Sequence, residues 1–116
     1  MKHTTFPWSV IKKEIQEPID SPIIKLVDHV LNSGLSNYLH AATMLRNLRI
    51  GRSKNFSRND GELTIEHIEK TDSVIFNYYE SENAMPWQKT CKSEEIIGTF
   101  RHILVKRLRW VQSAEG

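Results

Sequence analysis

Five histidines, one cysteine and a run of acids are the side chains of this 116-residue chain that could do chemistry, and their spacing rules out most of it. His3, His29, His40, His67 and His102 nowhere show the HxxxH or HExxH spacing that sets two metal ligands on one helical face. Cys91 stands alone, so neither an internal disulfide nor a multi-cysteine zinc site can form, which fits a reducing compartment. Glu66 and His67 could act as an acid–base pair, and His102 beside Arg101 and Lys106 has the makings of a phosphodiesterase-like cluster. Acid–base catalysis needs such groups to converge on one pocket, and nothing in their spacing shows it. With no glycine-rich phosphate loop, GxSxG or metal motif, the expectation is a chain that is not an enzyme and carries no cofactor or metal.

Charge is laid out in blocks. The formal net charge is only +2, but Arg46, Arg49, Arg52, Lys54 and Arg58 follow one another without an intervening acid. Asp60, Glu62, Glu66, Glu69, Asp72, Glu80 and Glu82 then run against Lys70 alone, and residues 101–109 are basic again. Such blocks either neutralise each other or solvate separate faces. The sharper expectation is an acidic ribbon presented to a partner, with Trp87 as the aromatic anchor of the interface. Phe76, Tyr78 and Tyr79 could stack RNA bases, but the acids interleaved with them favour a role in sheet packing.

The elements that must position these groups differ in clarity. Residues 93–112 read as a helix: Ser93 can cap it, Glu94 and Glu95 suit its first turn, and Lys106, Arg107 and Arg109 suit its last. At 100° per residue Ile96, Ile97, Phe100, Ile103, Leu104, Leu108, Trp110 and Val111 share one face. Arg107 falls inside that apolar arc, where a guanidinium must snorkel out or meet a carboxylate. Ser21 and Pro22 start an earlier helix that Gly34 stops, and Ser9 could cap a short one ending before Pro18. From Ser36 to Gly51, the wide arc of Tyr38, Leu39, Ala41, Ala42, Met44, Leu45 and Leu48 predicts a further helix. Leu63, Ile65 and His67 alternate with Glu62, Thr64 and Glu66 as in a half-buried strand, with a bulge or early turn at Ile68. Residues 74–80 complete a hairpin, and residues 88–91 could add a third strand.

The expected fold is therefore α+β and a single domain over residues 1–116, with 1–20 as a loosely held arm. A helical N-terminal half of two or three helices would precede a small antiparallel sheet, a hairpin of two or possibly three strands, covered by a long C-terminal amphipathic helix. No run of about 20 apolar residues is present, and the first ten residues lack the apolar stretch of a secretory signal, so a cytoplasmic location is expected.

Two function classes remain. Helices meeting at Ser33-Gly34-Leu35-Ser36 ahead of a hairpin would suit a winged helix-turn-helix regulator of DNA. Against it, Val30 is bulky at the crossing, His40 stands where an aliphatic is usual, and a wing bearing Glu62, Glu66, Glu69 and Asp72 would repel phosphate. Elimination favours a small cytosolic inhibitor of the immunity or antitoxin type, which neutralises a basic partner protein such as a nuclease toxin through the acidic hairpin. The DNA-binding regulator is the alternative, and a homo-oligomeric structural subunit is third.

Overall fold

The computed structural model describes residues 2–111. Two helices come first, α1 (Trp8–Glu14) and α2 (Pro22–Ser33). Five strands follow: β1 (His40–Met44), β2 (Asn47–Gly51), β3 (Glu62–Ile68), β4 (Ser73–Tyr79) and β5 (Trp87–Lys92). Helix α3 (Ile96–His102) runs on into a wide π turn, Ile103–Arg107. The strands pair in chain order and all antiparallel, a five-stranded meander.

Alternation along the strands gives the sheet two unlike faces. Ala41, Leu48, Ile50, Leu63, Ile65, Val74 and Phe76 point to one side and join a single core with the buried residues of α1, α2 and α3. All three helices therefore lie on that inner face. Helix α2 is built as its sequence dictates. The Ser21 hydroxyl accepts a hydrogen bond from the Ile23 amide at 3.1 Å, Pro22 takes the first position, and Gly34 ends the helix at φ +82°. Its stripe of Ile23, Leu26, Val27 and Val30 is wholly buried.

The expected layout fails at residues 36–51. These form the β1–β2 hairpin, entered through one 3-10 turn (Leu35–Asn37), so the sheet has five strands and no second helix follows Gly34. No helix-turn-helix is made. The sequence is ambiguous there because Leu48 and Ile50 alternate with Asn47 and Arg49, a period of two, while Tyr38 to Leu45 also fit a helical arc. The turn is silent as well: Leu45 takes the left-handed conformation, φ +56°, at a position where glycine or asparagine would have announced a hairpin.

The long C-terminal helix is corrected too. Its regular part is short, residues 108–111 are not helical, and Gln112 lies outside the described residues. Ser93 does not cap it; its hydroxyl donates to Asp72 Oδ1 at 2.5 Å. The Leu108 amide donates to the Ile103 carbonyl at 2.8 Å, five residues back. This extra residue in the turn changes the angular position of its neighbours, so Arg107 leaves the apolar arc and lies exposed over the Trp87 ring, 4.9 Å from its centre. At Ile68 no bulge forms, since the ladder runs regularly to Ile68 and Ser73.

Candidate functional site on the outer face of the sheet

The outer face carries Ala42, Arg49, Gly51, Glu62, Thr64, Glu66, Ile75, Asn77, Tyr79, Gln88 and Thr90 in alternation. No helix covers it. Near β1 and β2 the chain folds back on itself instead. The loop 52–60 places Phe56 directly over Gly51, where an added Cβ would stand 2.3 Å from the ring, so only glycine leaves room for it. Phe56 is fully buried. Asp60 holds the loop in shape by accepting from the Ser57 amide at 2.9 Å. The N-terminal segment then crosses above: the His3 amide donates to the Phe56 carbonyl at 2.8 Å and the Phe6 amide to the Ala41 carbonyl at 3.0 Å. The arm expected to be loosely held is thus tied to β1 and to this loop.

Beneath the arm sits the densest group of ionisable side chains. Glu62 is fully buried, with His3 Nε2 2.5 Å from Oε1. On Oε2 converge Arg49 Nη1 at 3.1 Å, the Thr64 hydroxyl at 3.0 Å and Arg58 Nε at 3.7 Å. A carboxylate accepts about four hydrogen bonds. Glu62 accepts three of these through His3, Arg49 and Thr64, with Arg58 as a further ion-pair partner, and its burial keeps it out of reach from outside. Two guanidiniums pair with it, and Arg58 also lies over Tyr79, 4.0 Å from the ring centre. The geometry is that of a lock joining β2, β3, the loop and the arm rather than of an acid–base site.

Sequence reasoning expected Glu62, Thr64 and Glu66 to project into solvent. The alternation is right, but Glu62 and Thr64 are buried because the arm and loop cover them, and only Glu66 stays partly open. The other acids fall into two groups at opposite ends of the strands. Glu66, Glu69 and Asp72 lie at the β3–β4 turn, and Asp60, Glu80 and Glu82 at the far end, separated by a strand of about 20 Å. They form no continuous ribbon. Glu69 and Glu17 both bind Arg46 in the β1–β2 turn. Asp72 accepts from Ser93 and from His67 at 3.0 Å, and those hydrogen bonds hold its carboxyl below the usual range. The Asn59 side chain accepts from the Glu82 amide at 2.8 Å. Trp87 is on the inner face, half-buried under Arg107.

Sequence reasoning missed His3, Arg49 and Arg58 as partners of Glu62. Only Arg58, four residues away, offered a local signal, and the strand pattern gave no reason to read it as a helical pair. Burial raises the half-buried Cys91, the lone thiol, above its ordinary pKa, which disfavours the thiolate. Among the described residues no three His, Cys, Asp or Glu side chains could hold a metal ion, and no helix is long and apolar enough to cross a membrane. The fold and face define an α+β domain with a one-sided antiparallel meander. No family model, no curated protein and no solved structure matches the chain.

Proposed function

We propose that the chain is a small cytoplasmic protein-binding inhibitor of the immunity or antitoxin type, and that it neutralises a basic partner such as a nuclease toxin. The observation that supports this reading is the gathering of Glu66, Glu69 and Asp72 at the end of a hairpin whose outer face no helix covers. A cationic partner would meet these carboxylates first, and the polar face carrying Asn77, Gln88 and Thr90 would widen the contact. Carboxylates of this kind mimic phosphates and speed encounter with a cationic cleft. Glu62 and Trp87 have no part in the interface, the first being sealed and the second lying on the inner face.

The test is rescue of growth. The reading frame adjacent to this gene is expressed from an inducible promoter, with and without this chain. Restored growth, together with co-purification of the two proteins, supports the reading. Undiminished toxicity, or a neighbouring product that is harmless on its own, removes it.

A further inference from the structure

We propose that the cleft between β5 and the C-terminal helical segment binds a nucleoside monophosphate, a role independent of the inhibitor reading. Two hollows meet at the stack of Arg107 on Trp87. The first, about 240 Å³, is lined by Lys89 from β5, Thr99 and His102 from α3, and Lys106 and Arg107 from the π turn, with Ile103 as its floor. No carboxylate lines it among the described residues. The second, about 370 Å³, is lined by Tyr78, Met85 and Leu108 and has a single acid, Glu80. Together they fall within the range of about 300–1,000 Å³ usual for small-ligand sites.

Two further observations point to an anion in the first hollow. Several cations elsewhere are paired with carboxylates, Lys12 with Asp28, Arg46 with Glu17, and Arg49 with Glu62. Lys89, Lys106 and Arg107 have no ion pair among the described residues, so their positive field stays uncompensated and concentrates anions there. Arg107, moreover, reaches the cleft by way of the π turn, a backbone irregularity found frequently at functional sites.

The chemistry of the two hollows differs in the way a nucleotide requires. A phosphate dianion in the first would take charge-assisted hydrogen bonds from Lys89, Lys106 and Arg107 and one more from the Thr99 hydroxyl. A base in the second would lie against the Tyr78 ring, which Trp110 braces edge-on at 5.8 Å between centres. The Glu80 carboxylate can accept from an exocyclic amine, as on adenine. Inorganic phosphate would leave the second hollow empty, and a nucleoside would leave the first without its anion.

The experiment is calorimetric titration of the full chain with adenosine monophosphate, adenosine and inorganic phosphate at one ionic strength. The monophosphate should bind at least about tenfold more tightly than either fragment, because each engages one hollow only. Lys89→Gln with Lys106→Gln should weaken it by about tenfold or more, while Lys12→Gln with Lys13→Gln, equally charged but on α1, should leave it unchanged. All four lysines are exposed, so both variants should melt like the parent. No heat with the monophosphate, phosphate binding as tightly as the nucleotide, or equal losses in the two variants would overturn the proposal.

Discussion

His3 Nε2 lies 2.5 Å from Glu62 Oε1, a contact across 59 positions of sequence that fastens the N-terminal segment over the outer face of the sheet. Removing the carboxylate leaves Arg49 and Arg58 facing each other without their shared anion. Glu62→Ala should therefore destabilise the fold by about 3–5 kcal/mol, the usual cost of breaking a buried ion pair from one side. Urea unfolding measures it, and a loss under about 1 kcal/mol would show that the cluster is solvated and dispensable.

Two glycines should respond in opposite ways to alanine. At Gly51 the new methyl would meet the Phe56 ring, so Gly51→Ala must displace a fully buried aromatic and should cost about 1–3 kcal/mol. At Gly98, in the middle of α3, nothing lies within 4 Å of the added carbon, and Gly98→Ala should stabilise by about 0.5–1 kcal/mol through helix propensity. Thermal melts of the two variants beside the parent decide both. Equal effects at the two sites would contradict the packing described for residues 52–60.

His29 on α2 should set a pH dependence of stability. Burial first, and then the nearby Arg101 cation, push its pKa below the ordinary 6.5. The unfolded chain consequently binds the proton more readily than the folded one. Stability should be full above about pH 7 and decline as pH falls through 6.5 toward the folded-state value. His29→Gln should flatten that decline in urea midpoints taken from about pH 7.5 to pH 5. An unchanged slope would place the dependence on another group.

The features legible in the sequence are those that local chemistry decides. Ser21, Pro22 and Gly34 mark α2 because a cap, a missing amide and a left-handed stop act within a few residues. The alternation of Leu63 and Ile65 with Glu62 and Thr64 likewise marks β3. The β1–β2 hairpin was hidden because Leu45 fills a left-handed turn position without a turn residue's chemistry, and Ala41, Ala42 and Leu48 satisfy both periods. The Glu62 lock was hidden for a different reason. Alternation says which face a side chain takes, but not that the Lys2 and Ser57 backbones will bridge and close over that face. The displacement of Arg107 from the apolar arc needed one more residue in a helical turn, which no side-chain pattern announces.

The inhibitor reading depends on the exposed Glu69 and Asp72 and the partly open Glu66 at the β3–β4 turn, and neutral isosteres isolate them. Glu66→Gln, Glu69→Gln and Asp72→Asn together keep side-chain shape, and asparagine tolerates the left-handed backbone of position 72, φ +50°. Exposed charges contribute little to stability, so the triple variant should fold like the parent.

Association of parent and triple variant with the product of the adjacent reading frame, measured by stopped flow over a series of salt concentrations, tests the central claim most directly. The parent should associate fast at low salt and slow steeply as salt rises. The triple variant should associate about tenfold or more slowly at low salt with a flattened salt dependence, because charge complementarity acts on encounter. Identical rates for the two proteins, or a parent that binds duplex DNA at physiological salt and a variant that binds it more tightly still, would contradict the inhibitor reading.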